Sequence, residues 1–347
     1  MEIKAVNVNT AYGEGLHWLR VAGVREDSRN GAVLVSPEPV LTVYHAPRER
    51  VLFSPLRDAN PFFHLMEALW MLGGRDDVAW PQYFNSRFKD YSDDGVTTWG
   101  AYGRRWRSWF GYDQLTFIAD ELRRNPNTRR AVLAMWDGTD NCGNNVYEAK
   151  PADLMKAMAG GKDVPCNTHI YFDARGGKLN MTVLCRSNDV LWGCYGANVV
   201  HFSVLLEYMA AWTGYPVGAY RQFSNNFHLY TNVVPESRLY EYAENGLRHD
   251  EYANIDSCEP YPLVNTPIES WNADLKRFLA TPAGAPLYTD PFFHQIAVPM
   301  YCAWHERKNK ASTGLDWLKR MPPCDWQIAA MQWIIRREQR KLKKEAV

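Results

Sequence analysis

The chain has 347 residues and carries 39 Lys+Arg against 39 Asp+Glu, a formal net charge of zero. That balance excludes a protein that grips nucleic acid mainly through bulk charge, since counterion release needs a clear basic excess, while a local basic patch stays open. Hydrophobic residues at 46% and charged residues at 22% exclude a disordered tail or a coiled coil, and at roughly 150 residues per domain the length allows one large or two ordinary domains.

No long apolar run capable of spanning a bilayer is present, and the opening MEIKAVNVNTAYGEG is unlike a signal peptide, so a cytoplasmic protein with no membrane partner is expected. Cysteines at 142, 166, 185, 194, 258, 302 and 324 form no CxxC pair and no disulfide spacing. They read as buried small hydrophobes unless one is a nucleophile. Aromatic residues reach 14%, with 14 Trp, which suits pockets for planar ligands and core packing alike.

In chain order, Ala32–Val35 and Val40–Tyr44 read as a hairpin pair. Residues 62–72 place apolar side chains at helical spacing behind Asn60-Pro61 and stop at Gly73-Gly74. Asp113 caps a second helix that ends before Asn125-Pro126. Strands are expected at Ala131–Trp136, His169–Phe172 and Lys178–Cys185, the last two joined by a turn at Arg175-Gly176-Gly177. His201 to Trp212 is apolar over most of its surface, the mark of a central buried helix stopped by Gly214. Asp325 opens a last helix whose charged end, RREQRKLKKEA, should be solvated. With no repeat or linker, a single α+β domain over 1–347 is the simplest reading, a mixed sheet with helices packed on one face.

Three kinds of residue stand out. Cys166 follows Pro165 directly before a strand, although a lone Cys is usually structural. Glu67 is the only acid in an apolar helical segment, so it is paired or used if buried, or else sits on the wet edge of that helix. Arg29, Arg129-Arg130 and Arg186 lie at element boundaries, where guanidinium suits phosphate, although each is a solvated charge by default. Asn198, His228 and Tyr230 complete a polar inventory able to read a base edge and a sugar.

The motif order SRNG, HLMEALWMLGG, WGAYGRRWRSW, NTRR, VPCN, CRSND, GANVVHFS and FHLY resembles the thymidylate synthase family from about residue 25 to 230, with a divergent part from about 231. The resemblance implies that Cys166 is the nucleophile, Glu67 the helix acid that moves protons, and Tyr102 an active-site tyrosine. It assigns Arg29, Arg186 and Ser187 to the nucleotide phosphate, together with Arg129 and Arg130 supplied by the other subunit of a homodimer with shared sites. Asn198 would read the pyrimidine edge, His228 and Tyr230 the sugar hydroxyl, and Asp189 and Phe88 the folate. The implied one-carbon donor is 5,10-methylenetetrahydrofolate, with no metal and no nucleic acid required. Nearby arginine charge is expected to lower the Cys166 pKa.

Departures from the synthase pattern set the expected reaction. The Trp-x-x-Trp loop reads Phe88-Lys89-Asp90-Tyr91, the residue after the nucleophile is Asn167 where the family has His, and Cys185 replaces the Gln before Arg186-Ser187. Loss of the shielding Trp should admit water, as in bacteriophage pyrimidine hydroxymethylases, which NSRFKDYSDDGVTTWGAYGRRWR also resembles. Folate-dependent hydroxymethylation at carbon 5 of a deoxypyrimidine monophosphate is therefore expected. The alternatives are thymidylate synthesis and a non-catalytic nucleotide- or RNA-binding relative. Asn198 favours dUMP over dCMP, and one extra residue near Gly196 bears on where it sits.

Overall fold

The computed structural model describes residues 1–139, 151–283 and 287–345; Cys142 lies outside them. Strands run in chain order as β1 (Glu2–Ala5), β2 (Val24–Ser28), β3 (Gly31–Val35), β4 (Val40–Tyr44), β5 (Val132–Ala134), β6 (Asn167–Asp173), β7 (Leu179–Cys185), β8 (Asn188–Asp189), β9 (Val217–Ser224) and β10 (Phe227–Tyr230). Six of them make a mixed sheet in the order β1-β4-β9-β7-β6-β5, in which β1/β4 and β9/β7 are parallel and the other neighbours antiparallel. The other four form a second sheet, β2-β3-β10-β8.

This arrangement corrects the first expected hairpin. β3 pairs antiparallel with β2 and with β10, whereas β4 pairs with β1 and β9, so the two adjacent segments belong to different sheets. Two short apolar runs carry no local signal of which partner each will meet. The second expected hairpin is present: β6 and β7 join through a tight turn at Arg175–Gly177, where Gly176 (φ 70°) and Gly177 (φ 71°) take left-handed conformations.

Along β7, Leu179, Met181, Val183 and Cys185 are buried and the residues between them are not, and β9 alternates in the same way. The buried side of the sheet meets the helix Asn198–Thr213, whose residues from Asn198 to Ala210 are all buried. It ends at Gly214, φ 81°, in the left-handed cap that glycine adopts most readily. The helix Pro61–Leu72 packs against it. Its start follows from local chemistry: the Asn60 side chain accepts from Phe63 N at 3.2 Å, and Pro61 fills the first turn, where no donor is needed. Asp113 caps Gln114–Arg124 through its bonds to Leu115 N and Thr116 N.

The helix Val8–Ala22, capped by the Asn7 side chain, was not among the expected elements. Nor is the charged end of the last helix, Asp325–Glu345, wholly solvated. Arg336, Arg337 and Arg340 converge on Asp58 at 3.2, 2.8 and 2.6 Å, so part of that end is tethered beside the helix 61–72. Among the described residues no helix is long and apolar enough to cross a membrane.

Candidate active site

The β6/β7 ladder builds the centre of the site. Asn167 pairs with Cys185, which sets Cys166 opposite Arg186 at the end of the two strands. Arg186 N donates to Cys166 O at 2.9 Å, Arg186 Nε to Pro165 O at 3.0 Å and Nη2 to Val164 O at 3.1 Å. The guanidinium is thus pinned against the loop, with Nη2 4.0 Å from Cys166 Sγ. Its charge was expected to lower the thiol pKa. Burial instead pushes the thiol up, the Arg186 charge opposes that, and Asp163 adds to it. Loss of hydration penalises the thiolate more than one cation at this distance stabilises it.

Asp163 accepts from Gly100 N at 2.8 Å, and burial pushes its carboxyl up to about 6. The Tyr102 phenol is raised well above its ordinary value, first by burial and then by the neighbouring Cys166 thiol, with Asp163 a smaller cause. Its ring stacks on Phe202 at 5.7 Å.

Glu67 is not on a wet edge. It is 7% exposed, and its Oε2 stands 2.9 Å from Nε2 of His201, which is 3% exposed. The contact lacks hydrogen-bond geometry, and among the described residues neither ring nitrogen of His201 has a hydrogen-bond partner. His64, one turn before Glu67, has its imidazole pushed well below the ordinary value by burial, then by the charges of Arg57 and His201.

Residues Val190–Ala197 form a wide π-type turn that Gly196 breaks at φ −104°, ψ −106°. A Cβ on Gly196 would lie 2.6 Å from Leu191 O, so no other residue fits there without a shift. Asn198 follows this turn and starts the central helix, buried. Asn198 Nδ2 donates to Asn188 Oδ1 at 3.1 Å, and Asn188 Nδ2 donates to Ser224 Oγ at 3.0 Å. Gly193 leaves room for this pair: a Cβ there would stand 2.8 Å from Asn188 Oδ1 and 3.3 Å from Asn198 Nδ2.

β8 and β10 run parallel and set His228 opposite Asp189. His228 Nδ1 lies 2.7 Å from Asn226 Oδ1, and burial lowers the imidazole pKa against the pull of Asp189. Tyr230 Oη accepts from Asn30 Nδ2 at 3.4 Å, which ties the end of β10 to the turn that carries Arg29. Asp189 Oδ1 caps the π-type turn through Leu191 N and Trp192 N, at 2.9 and 2.6 Å. Its Oδ2 is buried with no hydrogen-bond partner among the described residues.

The other expected residues are less gathered. Ser187 adjoins Arg186 and is half-buried, while Arg29, Arg129 and Arg130 are exposed on the single chain. Phe88 is buried against Phe63, Trp70 and Tyr91, while Lys89, Asp90 and Tyr91 of that loop are exposed. Asn167 is fully buried and donates to Leu184 O at 2.8 Å, closing the strand irregularity beside Cys166. Sequence reasoning missed His201, Asn188, Asp163 and Arg57, the last donating from Nε to Leu191 O at 2.7 Å and so bracing the π-type turn. His201 carried a usable signal, an imidazole three residues after Asn198 and hence on the same face of an otherwise apolar helix.

A thymidylate synthase family model matches residues 55–245, more than half of the chain. A deoxyuridylate hydroxymethyltransferase of Pseudomonas phage M6 is 46% identical over 346 residues, 96% of this chain and 94% of the relative. Proteins of the same description from Bacillus phage SP01 and Delftia phage PhiW-14 are 37% and 31% identical, over 70% and 66% of this chain and 63% and 62% of their own lengths. The match to the M6 protein runs well past the residue-245 limit of the family model, so the divergent C-terminal part has a counterpart there. On these matches, and on the meeting of Cys166 with Arg186 and of Glu67 with the central helix, the chain belongs to the thymidylate synthase family.

Proposed function

We propose that this protein hydroxymethylates carbon 5 of dUMP, with methylenetetrahydrofolate as one-carbon donor. The observation that carries the base choice is the Asn188–Asn198 contact. With one N–H of Asn198 held by Asn188 Oδ1 at 3.1 Å, the amide keeps an oxygen acceptor and a second N–H, which match the ring N–H and carbonyl of uracil. The likeness to three phage deoxyuridylate hydroxymethyltransferases supports the same substrate.

Cys166 Sγ adds to carbon 6 and makes carbon 5 nucleophilic. Because burial holds the thiol pKa up, its proton leaves as the sulfur attacks and passes to the ring carbonyl oxygen, giving the enol that makes carbon 5 nucleophilic, while Arg186 stabilises the charge on the sulfur from 4.0 Å. Arg186 and Ser187 bind the nucleotide phosphate with Arg29, while His228 and Tyr230 hold the sugar hydroxyl. Glu67 moves protons at the ring carbonyl and at water. The buried, unpartnered Oδ2 of Asp189 is an acceptor that fits the N–H donors of a pterin, so Asp189 would hold the folate, with the Phe88 loop as the neighbouring wall. When bound, the folate supplies a carbon at the oxidation level of formaldehyde.

The whole chain works as one catalytic unit and as a homodimer, in the cytoplasm. The sheet face turned away from the central helix exposes Val132 and Tyr171 in register on β5 and β6, which supports pairing of two copies there. Arg129 and Arg130, exposed beside Val132, would then reach the partner's phosphate site. The deciding experiment incubates the protein with methylenetetrahydrofolate and either dUMP or dCMP and weighs the products. Hydroxymethyl-dUMP with tetrahydrofolate is expected, whereas thymidylate with dihydrofolate would overturn the reading.

A further inference from the structure

We propose that His201 is the positioning residue that makes Glu67 a base for water, so that the Glu67–His201 pair, and not Glu67 alone, receives the proton that hydroxymethylation releases. The inference rests on the hydroxymethylase reading above and assigns a residue to its last step.

Glu67 and His201 come from the two helices that pack together under the site, Pro61–Leu72 and Asn198–Thr213. His201 lies one turn after Asn198, so the same helix face presents both the base-reading amide and the imidazole. Oε2 and Nε2 are 2.9 Å apart and both side chains are buried, yet neither this contact nor any other among the described residues gives His201 a hydrogen bond. A buried carboxylate with no positive partner would be costly to keep ionised, and a buried imidazole with neither nitrogen satisfied is costly in its own right. A small turn of the imidazole at this distance would let the pair share a proton that arrives during turnover.

Water addition supplies that proton. Once the carbon unit is attached to carbon 5 as a methylene, a water oxygen bonds to that carbon as one of its O–H bonds breaks. The carbon–carbon double-bond pair moves into the ring toward the carbonyl oxygen, and the proton passes to the Glu67–His201 pair, whose charge goes from −1 to 0. Return of the ring electrons then expels Cys166 as thiolate. A synthase delivers hydride at this point and needs no base for water, which is why a second proton acceptor beside Glu67 suits this chemistry in particular.

The test compares wild type, His201→Gln and His201→Asn. For both variants the turnover number for hydroxymethyl-dUMP should fall by roughly a hundredfold, at the lower end for loss of an acid–base group. The KM for dUMP and its calorimetric affinity should stay within about twofold, since Asn198 and the phosphate contacts are untouched. The discriminating readout is trapping: an added thiol such as 2-mercaptoethanol needs no enzymic base once ionised, so the variants should divert the methylene to a thioether product while wild type makes mainly the alcohol. Equal thioether fractions in wild type and variants, or a loss of affinity matching the loss of turnover, would overturn the role. A wild type that makes thymidylate refutes the hydroxymethylase reading itself, a separate outcome read from the same assay.

Discussion

Asn188 Oδ1 accepts from Asn198 Nδ2 at 3.1 Å, and through Ser224 Oγ the pair is anchored to the end of β9. The direction of that bond decides which atoms of Asn198 are left for a base. Asn198→Asp would place two acceptors face to face and offer a carboxylate to the ring N–H and carbonyl, so the ratio of specificity constants should move from dUMP toward dCMP. Asn188→Ala should weaken discrimination without reversing it, because the amide can then turn. An unsatisfied buried group costs about 1–3 kcal/mol, so the dUMP constant should fall at least severalfold in each. Steady-state kinetics on both nucleotides checks this, and an unchanged ratio in Asn198→Asp would show that the amide does not read the base.

Cys166 sits between one charge that lowers its pKa and one that raises it. Arg186→Ala removes the stabilising cation and should push the thiol higher still, slowing alkylation by iodoacetamide at a given pH. Asp163→Asn keeps an acceptor for Gly100 N but removes the negative charge, so the thiol pKa should drop and alkylation above pH 6 should speed up. Wild type itself should react more slowly at pH 7 than a free cysteine, since burial leaves less of it as thiolate. Mass analysis of the peptide containing residue 166 across pH reads all three, and opposite ordering of the two variants would contradict the arrangement.

The proposed sharing of each site between subunits predicts a complementation result. Cys166→Ala should bind dUMP but not turn over, and Arg130→Ala should bind its phosphate weakly. Mixed and allowed to exchange subunits, the two should regain activity, because one site in each heterodimer holds both intact groups. Confirmed exchange without recovery would place Arg130 outside the site.

Beneath the active site, Arg105 and Asp153 form a bidentate ion pair at 2.7 and 2.9 Å with both side chains fully buried. Asp153 Oδ2 also accepts from Asp137 N at 2.7 Å, and Arg105 Nη1 donates to Met135 O at 3.0 Å. Removing one partner strands the other charge, at a cost of about 3–5 kcal/mol. Asp153→Ala should therefore shift the urea midpoint sharply downward, by much more than Asp120→Ala, whose partner Arg123 is exposed with it. Similar midpoints for the two variants would show that the buried pair contributes nothing special.

Much of the local structure is legible from residues close in the chain. Asn60-Pro61, Asp113 and Gly214 mark helix ends because a cap acts on donors or acceptors within a turn of itself, and Arg175-Gly176-Gly177 marks a reversal because glycine tolerates φ near 70°. The resemblance added the nucleophile turn and the phosphate arginines, which lie in short motifs of recognisable order. Sheet membership of β3 and β4 was not legible, since both runs are apolar and adjacent, and each takes one partner from the first 28 residues and one from residues 217–230. Neither was the pairing of Glu67 with His201, although each lies on a helix expected from its pattern, because the contact depends on how two buried helices cross. The Cys166 pKa went the opposite way to the expectation for the same reason: the sequence of charges names Arg186 as a neighbour, but the balance of charge against lost hydration depends on how deeply the packed chain buries the sulfur. Residue order sets short-range hydrogen bonding and backbone preference; register, burial and long-range partnership come from where the sheets and helices finally close on one another.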